Sequence, residues 1–177
     1  MIFRETSLKG LFIIDIEPLS DERGFFARSW CEKDFLSHGI SFNNVQCNIS
    51  FNKRQGTLRG MHFQKEPDAE QKIVRCTMGS IYDVVADIRP DSATYGRWEA
   101  FELNSGNRRM LYIPRGLAHG FQTTSDNTEV FYQMGNFFNP QSASGIRWND
   151  PFFNIKWPLP VSCISEKDCN YPIFGEI

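Results

Sequence analysis

A chain of 177 residues can bury one real core and is short for two. Its 41% hydrophobic and 23% charged residues are those of an ordinary globular protein, and the formal net charge of -2 gives no basic footprint for nucleic acid. A local basic site for a diphosphate remains open, because net charge averages over the whole surface. Aromatics at 14%, including 16 Phe, favour β-structure.

The five cysteines (Cys31, Cys47, Cys76, Cys163 and Cys169) are odd in number and form no C-x-x-C pair. They read as free thiols in a reducing compartment, with no disulfide framework and no zinc site. The one apolar run near the start, residues 11–14, is too short to span a membrane. No charged start, apolar middle and small-residue cleavage site is read around it, so no signal peptide is expected. The expectation is a cytoplasmic protein with no membrane partner.

In chain order, residues 11–16 read as a strand, 21–24 as a turn and 24–30 as a second strand. Residues 32–38 form the best helix candidate of the first half, stopped by Gly39. Strands are then expected over 44–51, 56–64, 71–78, 80–87, 98–103, 109–113, 120–123 and 129–134. Many short strands at about 8–12-residue spacing suggest a sandwich or barrel. The tail after Asn139, rich in Pro, Trp and Phe, reads as irregular chain draped over the barrel. One domain over 1–177 is expected.

Three segments could carry chemistry. In the first, residues 56–64, alternation puts Gly60, His62 and Gln64 on one face. Arg59 faces the other way unless a bulge at Gly60 re-aims it. On periodicity alone, His62 is most simply a satisfied, partly buried histidine. In the second, residues 71–76, Lys72 heads an apolar strand. It is either an exposed edge lysine or, inside a barrel, an electrophilic or phosphate-binding group.

The third segment, residues 112–121, holds Pro114-x-Gly116-x-x-His119. Pro114 and Gly116 force a turn, and His119 then opens the next strand. This spacing resembles the second motif of the cupin barrels, mainly-β jelly rolls with few helices. Metal-binding cupins supply H-x-H in their first motif. Here that place reads His62-Phe63-Gln64, so two imidazoles lack a third ligand and no metal is expected.

Eight segments in order are similar to the dTDP-4-dehydrorhamnose 3,5-epimerases. They are 23–26, 46–50, 56–64, 71–72, 114–121, 129–132, 145–151 and 165–168. The resemblance implies a homodimeric isomerase without metal or redox cofactor, acting on a nucleoside-diphosphate 4-keto-6-deoxy sugar. A C4 ketone acidifies the hydrogens at C3 and C5. Removal of either gives an enolate, and return of a proton to the other face inverts the centre.

By that resemblance His62 is the base, Asp168 its partner, Lys72 the group facing the C4 oxygen and Tyr132 the acid on the far face. Phe131 and Tyr132 alternate, so only one of them can line the barrel. Arg23, Arg59, His119 and Lys167 are candidates for the diphosphate and nearby sugar, and arginine's planar fork suits phosphate oxygens. Gln46 and Asn48 share a strand face and can bond sugar hydroxyls or the base.

Two positions depart from the family pattern. Arg28 and Ser144 stand where glutamates are common, both associated with the nucleotide end of the site. Arg28 is therefore counted among the substrate-binding candidates. The alternatives are a 3- or 5-epimerase, an epimerase for a GDP- or CDP-linked 4-keto sugar (heptoses included), and a non-catalytic sugar-nucleotide binder. A metal-dependent dioxygenase is disfavoured by Gln64.

Overall fold

The computed structural model describes residues 1–176. A six-stranded antiparallel sheet runs β1 (Ile2–Glu5), β2 (Phe12–Asp15), β10 (Met110–Ile113), β7 (Lys72–Met78), β12 (Thr128–Met134) and β5 (Gln46–Asn52). A five-stranded antiparallel sheet runs β13 (Ala143–Gly145), β6 (Leu58–Gln64), β11 (Leu117–Thr123), β8 (Ser80–Asp87) and β9 (Trp98–Asn104). A separate hairpin joins β3 (Leu19–Asp21) and β4 (Gly24–Phe26). The two helices are short: α1 (Glu32–Ser37) and α2 (Glu166–Cys169). This is the expected jelly-roll barrel of the cupin type.

Alternation explains how the sheets are packed. Along β7, Val74 and Cys76 point inward, where they join Leu111 and Val130 against Val85, Leu103 and Phe121 of the facing sheet. Ile73, on the opposite face, packs outside against Phe35 of α1, Ile40 and Phe42. The outer face of the five-stranded sheet is covered in turn. Met61, Phe63, Val84 and Ala118 lie under Ile146, Phe153 and Ile155 of the tail. With both faces covered, β11 is buried at every position.

Some elements differ from expectation. Residues 27–30 leave the ladder because β4 has only β3 to pair with, and an isolated two-stranded hairpin gains little from extension. β11 starts at Leu117, immediately after the Pro114–Gly116 turn, rather than at residue 120. β1 and β3 carry too little apolar pattern to be read, and they form because β2 and β4 supply partners. The tail is less irregular than expected, since it contributes β13 to the five-stranded sheet and α2 beside β6. All five cysteines are free. Among the described residues no helix is long and apolar enough to cross a membrane.

Candidate active site

At one end of the barrel the inward positions change from aliphatic to polar, and a cavity of about 510 Å³ opens between the sheets. β7 makes the change within one strand, from Cys76 and Val74 to Lys72. Its neighbours add Tyr132 from β12 and Gln46, Asn48 and Ser50 from β5. Register places Tyr132 opposite Asn48 on one side and Val74 on the other, so these side chains share the inner face. Phe131 points outward, beneath the Arg75 guanidinium at 5.1 Å. The facing wall carries Arg59, His62 and Gln64 of β6 and His119 of β11.

Strict alternation forbids Arg59 and His62 from sharing a face. The ladder between β6 and β11 slips by one residue between these positions, so the bulge left open at Gly60 is present. Glycine is required there. Its φ is +137°, and a Cβ would lie 2.5 Å from Gly120 Cα. The bulge also frees the Gly60 N–H to donate to Asp168 Oδ2 at 3.2 Å.

Asp168 arrives from α2, which Ser165 caps by accepting from the Asp168 N–H at 3.1 Å. The Asp168 carboxylate is thereby aimed at β6, where Oδ1 meets His62 Nε2 at 2.8 Å. The contact engages one ring nitrogen, and among the described residues no hydrogen bond engages Nδ1. The His62 side chain is 40% exposed, enough to meet a ligand. Burial pushes the Asp168 carboxyl up, but the His62 hydrogen bond and charge and the Gly60 N–H outweigh it and hold it below the usual value.

Lys72 is buried, contrary to the edge reading, and its Nζ contacts Glu70 Oε1 at 2.7 Å. Tyr132 keeps its proton. Burial and the Asp83 charge raise the phenol far above its usual range, against the opposing pull of Arg59 and Ser50. Its ring meets His119 edge-on at 6.3 Å between centroids. His119 Nε2 in turn contacts fully buried Asp83 at 2.9 Å. Burial raises the Asp83 carboxyl, and the charges of His119 and Lys72 offset this only in part. Arg59 is braced by Asn52, whose Oδ1 accepts from Nε at 2.8 Å.

The cavity thus gathers His62, Tyr132, Lys72, Asp168, Gln46, Asn48, Arg59, His119 and Lys167. It does not gather Arg23 or Arg28. Arg23 sits at the exposed β3–β4 turn, bonded to Asp21 at 2.5 Å, and Arg28 faces Asp34 at 3.5 Å. Ser144, one of the two departures, does line the cavity. Gln64 is engaged in fastening the tail. Its Nε2 donates to Asp68 O and Phe137 O, and its Oε1 accepts from Asn139 N at 2.7 Å.

Glu70, Asp83, Ser50 and Tyr171 were not singled out in the sequence. Asp83 carries a readable signal, as a lone carboxylate in the apolar run Ile81-Tyr82-Asp83-Val84-Val85 that must find a partner if buried. Ser165, three positions before Asp168, has the spacing of a helix cap.

A histidine and a tyrosine on opposite walls, with a buried ammonium beside them, line the cavity of this barrel, and the comparisons give the class: an isomerase of the carbohydrate-epimerase type. The family model described as dTDP-4-dehydrorhamnose 3,5-epimerase matches residues 5–176. A relative of that description from Shigella flexneri is 41% identical over 94% of this chain and 92% of its own. The solved enzyme from Elizabethkingia anophelis superposes with a TM-score of 0.96, at 38% identity over 99% of this chain and 97% of that one. A Legionella pneumophila relative solved with dTDP-4-keto-L-rhamnose gives 0.91, at 34% identity over 97% and 92%. The chain belongs to the dTDP-4-dehydrorhamnose 3,5-epimerase family.

Proposed function

We propose that this protein converts dTDP-4-keto-6-deoxyglucose to its C3, C5 epimer. The observation that carries the reading is the placement of His62 and Tyr132 in different sheets, facing one cavity. His62 Nδ1 removes the proton from C3 or C5 while Asp168 holds the ring and stabilises the imidazolium. The electron pair moves to the C4 oxygen, which meets the Lys72 ammonium. Tyr132 returns a proton from the opposite side, and inversion follows from the two walls. Arg59 and Lys167 supply positive charge for the diphosphate. Gln46, Asn48 and His119 supply polar contacts to the rest of the ligand.

A homodimer fits the surface, and free cysteines support a reducing compartment, the cytoplasm. Leu19 and Phe26 of the β3–β4 hairpin are 72% and 75% exposed, and edge strand β5 exposes Ile49 and Phe51. In a dimer the hairpin could carry Arg23 and Arg28 toward a partner's cavity, which would recover both as substrate-binding residues. Light scattering on wild type and Phe26→Asp tests this: a wild-type monomer removes it.

The deciding experiment for the reaction is an NMR time course in D2O with dTDP-4-keto-6-deoxyglucose. Deuterium at both C3 and C5 supports the double epimerase. Label at one carbon makes it a single-centre enzyme. No label directs attention to GDP- and CDP-linked 4-keto sugars.

A further inference from the structure

Lys72, which meets the C4 oxygen in the reaction scheme, is paired with Glu70, which the scheme does not use. Both residues are about 5% exposed, both line the cavity, and Nζ lies 2.7 Å from Glu70 Oε1. The second carboxylate oxygen is held by the Gln64 backbone N–H at 3.0 Å, which ties Glu70 to the end of β6. The carboxylate is therefore fixed from one wall while it holds the lysine of the other. An ammonium has three donors in a fixed tetrahedral arrangement. Glu70 lies against one side of it as an ion pair, and among the described residues no hydrogen bond engages Nζ, so N–H groups remain for an incoming oxygen.

A buried ammonium with no counter-ion is costly in a low-dielectric site, and its four-carbon stem can turn away to recover solvation. An oxyanion that develops during reaction is stabilised only by donors already in place. We propose that Glu70 is a positioning residue for the epimerisation: it holds the Lys72 ammonium in place and aimed at the C4 oxygen, so that enolate formation meets a preset donor. This rests on the reading of Lys72 as the group that faces the C4 oxygen. Glu70 itself does not touch the reacting atoms.

The role predicts a rate effect rather than a binding effect, because the ketone carries little charge and the enolate carries a full one. Glu70→Gln preserves volume and an acceptor oxygen for Gln64 N–H and removes only the charge. Steady-state kinetics with dTDP-4-keto-6-deoxyglucose are expected to show kcat lowered about tenfold or more, with KM within about twofold. Lys72→Met is expected to lose more. In the Lys72→Met background Glu70→Gln should add nothing, since its effect passes through the ammonium.

Glu70→Asp, which keeps the charge but draws it back by one methylene, serves if the glutamine variant does not fold. It too should lower kcat at constant KM. Wild-type kcat in a folded Glu70 variant, or an equal loss with and without Lys72, overturns the inference while leaving the reaction reading intact. Wild-type deuterium exchange in Lys72→Met removes the reading of Lys72, and the role of Glu70 with it.

Discussion

His62 and His119 are Cα partners across the β6–β11 ladder, yet they give Nε2 to different carboxylates, Asp168 at 2.8 Å and Asp83 at 2.9 Å. The two pairs are chemically unlike. Asp168 is held below the ordinary carboxyl range by His62 and the bulge N–H, while burial drives Asp83 above it. One His–Asp pair is therefore suited to hold a proton acceptor that meets the ligand, and the other to form a polar back wall. Environments that push like groups apart are how a site separates roles.

The Asp168 pair should be visible in both stability and rate. A carboxyl whose folded pKa lies below its ordinary 3.8 contributes stability above that value, and the contribution is lost as pH falls through the folded pKa. Thermal unfolding of wild type and Asp168→Asn should differ at pH 7 and converge in acid, below 3.8. The same variant should lose about two orders of magnitude or more in kcat, because the asparagine cannot stabilise an imidazolium. Curves that stay parallel down to low pH would show that the carboxylate does not feel His62.

Asp83 carries the opposite sign. Its carboxyl is raised on folding, chiefly by burial, so its ionisation at neutral pH costs stability relative to the unfolded chain. Asp83→Asn removes that cost and keeps an oxygen to accept from His119. We expect a Tm at pH 7 equal to or above that of wild type, together with reduced activity. A large loss of stability on calorimetry would mean that the His119 contact outweighs the burial.

Tyr132→Phe should separate proton removal from inversion. The partly buried phenol keeps its proton, so in proton transfer it can only donate. Without it, solvent deuterium should still enter through His62, while epimer formation slows by about a hundredfold. Inversion at the wild-type rate, followed by NMR, would assign the acid elsewhere, with Tyr171 of the cavity wall the next candidate.

Much of this arrangement was legible because period-2 alternation carries inward and outward assignment directly. Gln46 with Asn48, and Tyr132 against Phe131, were separable by parity alone. The Gly60 bulge was readable as an option because glycine permits it, although only the ladder fixes the one-residue slip. Contacts between distant segments were not legible from pattern: nothing local links His62 to Asp168, 106 positions on. Glu70 escaped because it sits in the connection before β7, where no periodicity assigns a face. Arg23 and Arg28 came from resemblance, and the hairpin that carries them lies apart from this chain's own cavity.

Gly60→Ala tests the bulge. The added methyl would need positive φ and would lie 2.5 Å from Gly120 Cα, and neither backbone can yield without moving His62 or His119. Backbone strain and overpacking together should cost on the order of 3 kcal/mol. Calorimetry should show a Tm lower by roughly 10 °C. Activity should fall further than stability, since the bulge alone lets Arg59 and His62 share a wall. A variant with full activity and unchanged Tm would count against that account.

Gln64→His recreates the H-x-H spelling of metal-binding cupins, and the structure argues that spelling is not enough. The Gln64 amide ties the tail through Asp68 O, Phe137 O and Asn139 N, and an imidazole cannot make all three bonds. Losing them should cost about 2–4 kcal/mol. His62 and His119 would still have their Nε2 atoms engaged by Asp168 and Asp83, so three imidazole nitrogens do not converge freely. Titration calorimetry with Zn2+ is expected to detect no site-specific binding in the variant. Stoichiometric zinc with an undiminished Tm would mean that both carboxylates yield their histidines readily, and the case for Asp168 as a fixed partner of the base would fall with it.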